Sequence, residues 1–239
     1  MNNFSLIFAL IGLYISIELI HSAYYFKRAR ILANRTYMNS INLGDKSKRK
    51  FRVLIAGDSI AAGVGATEFD RSFPGLIGNY LGEKYYVELR NFSMSGSKIS
   101  DLLEMNFARQ KQDLIAMVIS SNDLLRFTKL KRFRQETEDV LSRFSKLARK
   151  VVVTGPGNIS LCPAIPGFLK PIYRHRAFRY AGILAKASGK FKNVVYVNSV
   201  SLSENPLNRY DNTHHNTVDG FHPNDKGHRF WFGLVKDYL

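Results

Sequence analysis

Four short stretches of this chain hold side chains that could do chemistry together. Gly57-Asp58-Ser59 places a hydroxyl just after an apolar run, Phe51 to Ala56. A serine on a tight turn leaving a strand presents its Oγ outward and aims backbone N–H groups at what it attacks. Asp219-Gly220-Phe221-His222-Pro223 sets a carboxylate three residues before an imidazole, on a turn closed by proline. Such a carboxylate can orient the ring, and the ring can then take a proton from a serine hydroxyl. Ser93-Met94-Ser95-Gly96 offers a glycine where a backbone N–H can approach a ligand closely. Ser120-Ser121-Asn122-Asp123 offers a neutral carboxamide able to donate to a developing oxyanion. Each stretch has an ordinary reading too: a capped turn, a left-handed glycine, an Asx turn, a solvated Asp beside a surface His. For chemistry to be absent, all four ordinary readings must hold in one chain.

These residues need elements to carry them. Short apolar runs bounded by glycine or polar residues predict strands at 51–56, 85–92, 114–119, 151–154 and 194–198. Helical patterns lie between them, at 72–82, 98–109, 133–149 and 171–188, and a last helix follows Pro223. Strand and helix alternate, which predicts a mostly parallel sheet with helices on both faces, a three-layer α/β/α sandwich. The first three motifs then leave the carboxyl ends of strands, where open parallel sheets bind ligands. The irregular stretch 155–170 follows the fourth strand and is expected to wall the same pocket.

The amino terminus is different. Phe4 to Ile20 is apolar with one charge, Glu18, and Tyr24-Tyr25-Phe26 then precede Lys27, Arg28 and Arg30. A helix over 4–26 would span roughly 35 Å at about 1.5 Å per residue, enough for a hydrocarbon core of about 30 Å. The aromatic triplet suits the interface. A cleaved signal peptide and a buried core helix are the alternatives. Met1-Asn2-Asn3 lacks the positive n-region of the first, and 4–17 lacks the single apolar stripe of the second. The domain expectation is therefore a membrane anchor at 1–26, a basic linker at 27–50 and a catalytic body at 51–239. No Lys or Arg precedes the span and four follow it closely, Lys27, Arg28, Arg30 and Arg35. The positive-inside rule then puts the body on the cytoplasmic face, with a periplasmic or extracellular body as the alternative.

Charge and cysteine bound the rest. Thirty-five Lys and Arg against nineteen Asp and Glu give +16 over 239 residues. Residues 126–150 hold nine bases and three acids, and 170–192 hold seven bases and no acid. With an anchor present, anionic lipid headgroups are the expected partner. No groove-reading or base-stacking motif supports nucleic acid. One cysteine, Cys162, excludes an intramolecular disulfide. His214, His215, His222 and His228 with Asp211 and Asp219 could suggest zinc, but Asp219 and His222 have the better role above, and no metal is expected. Oligomeric state is left open by these residues.

Taken in order, the four motifs resemble the SGNH hydrolases, also called GDSL esterases and lipases. The GDS block is complete at Gly57-Asp58-Ser59, the glycine block is present at Gly96, and D-x-x-H-P is complete from Asp219 to Pro223. The asparagine block matches at Asn122-Asp123, with Ser120 where that family has glycine. The resemblance covers about 50–239. It implies a flavodoxin-like α/β/α fold, Ser59 as nucleophile, His222 as general base and acid, and Asp219 orienting it. It implies an oxyanion hole of the Ser59 N–H, the Gly96 N–H and the Asn122 amide, with no cofactor. The expected function is a membrane-anchored serine esterase acting on lipid or other acyl esters. A carbohydrate O-deacetylase and a non-catalytic binding protein of hydrolase fold are the alternatives.

Overall fold

The computed structural model describes residues 3–34, 40–107, 110–206, 210–216 and 218–239. A helix, α1 (Asn3–Leu32), comes first, followed by a short strand, β1 (Ser40–Leu43). The body then alternates β2 (Lys50–Gly57), α2 (Phe73–Gly82), β3 (Tyr86–Asn91), α3 (Asp101–Glu104), β4 (Gln112–Val118), α4 (Ser121–Leu125), α5 (Leu130–Leu147) and β5 (Ala148–Thr154). It ends with α6 (Lys170–Ser188), β6 (Val194–Val197), α7 (Ser199–Ser203) and α8 (Asp225–Val235). The sheet order is β1-β3-β2-β4-β5-β6, with β1 antiparallel and all other neighbours parallel. Its five parallel strands follow the flavodoxin-like order, in which the chain reverses direction across the sheet between the first and third strands. Here those strands are β2 and β4.

The strands are buried on both faces, and their period of two splits the core. Leu54, Ala56, Ile115, Met117, Val151 and Val153 join the apolar cluster under α5 and α6. Val53, Ile55, Leu114, Ala116, Val118 and Val152 join the cluster under α2 and α8. The two outer layers are held at their starts by local caps. Ser72 accepts the Gly75 N–H ahead of α2, and Asn224 accepts the Gly227 N–H ahead of α8. Gly57 pairs with Val118 and Ile55 with Asn91, so β2, β3 and β4 end at nearly one level. Ser59, Gly96 and Asn122 all emerge at that edge.

Three expectations are corrected. Helix α3 occupies only Asp101–Glu104 of the predicted 98–109. Tertiary contacts stop it: Arg143 Nη1 and Nη2 donate to the Leu103 and Met105 carbonyls at 2.9 and 2.8 Å, and Phe107 turns inward onto Phe92 and Phe144. The expected anchor boundary at residue 26 falls inside α1, which continues to Leu32. The expected linker contains β1, whose Ile41 and Leu43 pair with Leu89 and Val87 of β3 and pack on the core beneath α2.

Helix α1 has two distinct halves. Phe4 through Ile17 are exposed to the last residue, and the helix is long and apolar enough to cross a membrane. From Glu18 on, one stripe docks on the body. Glu18 Oε2 accepts the Gly167 N–H at 2.7 Å, and Ser22 Oγ donates to the Ala164 carbonyl at 2.8 Å. The Phe26 ring lies 5.7 Å from that of Phe221, and Ala29 is buried.

Candidate active site

The first motif is built by one glycine. A Cβ on Gly57 would stand 1.8 Å from the Val118 carbonyl oxygen, so only glycine lets β2 end this close to β4. The ladder runs one step further, the Asp58 N–H donating to Val118 O at 2.9 Å. The chain then winds through tight turns, with Ala62 N–H on Asp58 O and Val64 N–H on Ser59 O. Residues 58–65 are turns rather than the helix start that a strand-to-helix elbow would give. Asp58 is fully buried, its Oδ1 accepts the Ile60 N–H, and burial pushes its carboxyl up to about 6.

The second and third motifs are stitched to the first. The Met94 N–H donates to the Gly57 carbonyl at 3.1 Å, and Gly96 follows with φ +86, a left-handed conformation glycine takes at low cost. Asn122, in the first turn of α4, donates through Nδ2 to the Ser97 carbonyl at 3.0 Å. That bond aims the carboxamide at the Gly96 loop and leaves its second N–H over. The Ser59 and Gly96 backbone N–H groups make no hydrogen bond to any described residue. Asp123 faces the other way: Oδ2 accepts the Ile99 N–H at 2.8 Å, and burial pushes its carboxyl up to about 6.

The fourth motif folds on itself. Asp219 is fully buried, and its Oδ1 accepts the N–H groups of Phe221 at 3.0 Å and His222 at 3.1 Å. Its Oδ2 lies 2.6 Å from His222 Nδ1. Oδ1 thus fixes the backbone of the turn while Oδ2 holds the His222 ring by Nδ1. Nε2 is left without a partner among the described residues. The turn is closed by Asn216 N–H to His222 O and Gly220 N–H to Asn216 O, both 2.7 Å.

Ser59, Gly96, Asn122 and His222 line one open cleft of about 790 Å³. Asp219 stands behind His222. All five residues singled out in the sequence are thus brought to one place: four line the cleft, and Asp219 holds the His222 ring. That set can move a proton from a hydroxyl and receive a developing negative charge. A second, smaller pocket of about 40 Å³ is also lined by Ser59 and His222. Pro156, Asn158, Ile159 and Cys162 line it, placing the 155–170 stretch at the site as expected. Burial pushes the Cys162 thiol well up, so it stays protonated.

The other histidines are used structurally. His214 Nδ1 pairs with Asp211 at 2.9 Å within a capping box. His228 takes the Phe73 N–H on Nδ1 and lies 3.0 Å from the Val64 carbonyl through Nε2, tying α8 to the turns after Ser59. His215 lines the smaller pocket, and burial lowers its pKa to about 4, so it is neutral at pH 7. What the sequence did not reveal is the contribution of α1. Phe26, Ala29, Arg30, Ala33 and Asn34 form one wall of the open cleft. The signal was present in Glu18 and Ser22, two polar residues one helical turn apart.

A family model for GDSL-like lipase/acylhydrolases matches residues 55–230, which include all four motifs. The fold is similar to that of LAE5, an alpha/beta hydrolase enzyme from the metagenome of Lake Arreo, Spain, at TM-score 0.63 and 17% identity, covering 78% of this chain and 94% of that one. It is similar to Axe2, an acetylxylan esterase from Geobacillus stearothermophilus, at TM-score 0.60 and 17% identity, covering 82% and 95%. It is also similar to an extracellular lipase from Streptomyces rimosus, at TM-score 0.61 and 14% identity, covering 79% and 100%. No curated protein matches the sequence. With the family match spanning most of the body and the motif residues gathered in one cleft, the chain belongs to the GDSL-like lipase/acylhydrolase family.

Proposed function

We propose that this protein is a membrane-tethered serine esterase that hydrolyses carboxylic esters through an acyl-enzyme. His222 Nε2 takes the proton of Ser59 Oγ as the oxygen attacks the ester carbonyl carbon. The carbonyl oxygen becomes an oxyanion and is met by the Ser59 N–H, the Gly96 N–H and the free N–H of Asn122. Collapse breaks the bond to the alcohol, which leaves with the proton from His222. Water then repeats the sequence on the acyl-Ser59 ester, and His222 again moves the proton. Asp219 keeps the ring in the tautomer with Nδ1 protonated and offsets the charge of the imidazolium.

One observation carries this reading: Ser59, the Asp219-held His222, and the unpaired N–H groups of Ser59 and Gly96 share one cleft. The test is Ser59→Ala on a p-nitrophenyl ester. Turnover should fall by several orders of magnitude with the circular dichroism and melting curve retained, since only binding and oxyanion stabilisation would be left. Near-normal turnover by a folded variant rejects Ser59 as the nucleophile.

The exposed apolar half of α1 supports tethering, as 4–17 is exposed throughout. The lack of Lys and Arg before the helix and their abundance after it support a cytoplasmic body. A basic body beside an anchor is suited to anionic lipid surfaces.

A further inference from the structure

We propose that the substrate carries a phosphate, gripped between Arg30 of α1 and Arg126 at the end of α4, and that it is an acyl ester of the phospholipid class. The proposal rests on Ser59 being the nucleophile and adds what the cleft selects.

Both arginines line the cleft that holds Ser59, Gly96, Asn122 and His222. No Asp or Glu is among the residues lining it. Arg126 is close to the reacting position: its Nη2 lies 3.7 Å from where a Cβ on Gly96 would be. Some other surface arginines are paired. Arg71, Arg132, Arg149 and Arg174 each reach a carboxylate. Arg30 and Arg126 reach none among the described residues. Two unpaired guanidinium groups facing one cleft attract an anion, and their planar forks match phosphate oxygens.

The same cleft also has apolar walls. Phe26, Leu125 and Phe221 cover its walls. A ligand that satisfies both features is an amphiphile with a phosphate near its ester. The placement of α1 says where such a ligand is found. Tyr24 and Ile20 are exposed on the helix just before the cleft, and Ile20 is 71% exposed. With those residues at the edge of the hydrocarbon, Arg30 lies roughly 9 Å further along the axis than Tyr24, at about 1.5 Å per residue. That places Arg30 at the outer margin of the headgroups, which add some 5–8 Å on each side of the core, within reach of a phosphate through its long side chain. The helix that tethers the enzyme would thus also supply half of its phosphate grip.

The test uses the full chain in uncharged detergent micelles. Palmitoyl lysophosphatidylglycerol and monopalmitoylglycerol, which differ by the phosphate-bearing headgroup, are presented in the same micelles so that both meet one surface. The phosphate-bearing ester should show a kcat/KM at least about tenfold higher. In Arg30→Gln/Arg126→Gln that ratio should fall close to one; because it is a ratio, partial loss of folded enzyme cancels. A ratio near one in the unaltered chain overturns the proposal, as does a ratio the double variant retains. A water-soluble pair, butyryl glycerol 3-phosphate and butyryl glycerol, separates the sources: a phosphate preference there but not in micelles overturns the lipid assignment. Turnover of p-nitrophenyl butyrate without phosphate preference defeats this proposal alone. Failure to cleave any ester defeats the esterase reading beneath it.

Discussion

Ser120 sits at φ +92, ψ −1, the left-handed region that a side chain makes costly. It is fully buried and its hydroxyl bonds back to the Ile119 carbonyl. The position is needed because the chain must turn sharply from β4 into α4 to bring Asn122 over Ser97. Glycine at this position relieves a cost of about 1–3 kcal/mol and adds about 0.5–1 kcal/mol of backbone entropy to the unfolded chain. Ser120→Gly should therefore raise stability by about 1 kcal/mol, read as a higher urea midpoint at unchanged slope, with ester turnover retained. A lower midpoint would mean that the serine hydroxyl outweighs the strain. At Asn122 the expected effect is kinetic. Asn122→Ala should lower kcat about a hundredfold or more with little change in KM, the signature of a donor used in the transition state. An effect mainly on KM would make Asn122 a positioning residue instead.

Helix α1 shows how one element serves two environments. Its first half is exposed, and its second half braces the turn that carries the His222 imidazole. A Cβ on Gly220 would lie 3.2 Å from the Tyr25 ring, and Phe26 meets Phe221, the residue before His222. The Asp219–His222 turn is thus pressed from outside by a helix joined to it by no local sequence. Removing the Phe26 ring leaves Phe221 without that cover. Full burial of such a ring is worth about 3–5 kcal/mol on truncation, and Phe26 is only half-buried. Phe26→Ala should cost about 1–2 kcal/mol in thermal melting and lower turnover of a soluble p-nitrophenyl ester severalfold. Unchanged melting and turnover would show that α1 rests on the body without supporting it.

At the scale of the whole molecule the deciding quantity is charge. The +16 excess is carried both in the α1 region and in the body, with eight bases against two acids in the first fifty residues. Each base near an anionic surface adds roughly 1 kcal/mol of attraction within a Debye length. A body held on such a surface brings its cleft to lipid esters without diffusion through water. Fusing a compartment-selective reporter to Leu239 tests the orientation. A cytoplasmic reporter should be active and alkaline phosphatase silent; the reverse pattern places the body outside.

The sequence by itself determined the layered α/β architecture and the motif residues that share the cleft, though not its α1 wall. Strands buried on both faces read as unbroken apolar runs such as Val53–Ala56, and amphipathic helices alternate with them. The chemistry was legible because its local geometry is local in sequence: Gly57 and Ser59 share one turn, and Asp219 and His222 another. The tertiary structure alone decided what depends on distant pairing. Strand β1 is four residues long and holds through its ladder to β3 rather than through its own pattern. Helix α3 ends where Arg143, some forty residues on, takes its carbonyls. Ser120 shows its strain only once β4 and α4 are in place. The docking of Glu18 on Gly167, 149 residues away, is what carries Arg30 to the cleft. Contacts of that separation leave no periodicity in a chain, because each partner obeys its own element's spacing and neither encodes the other.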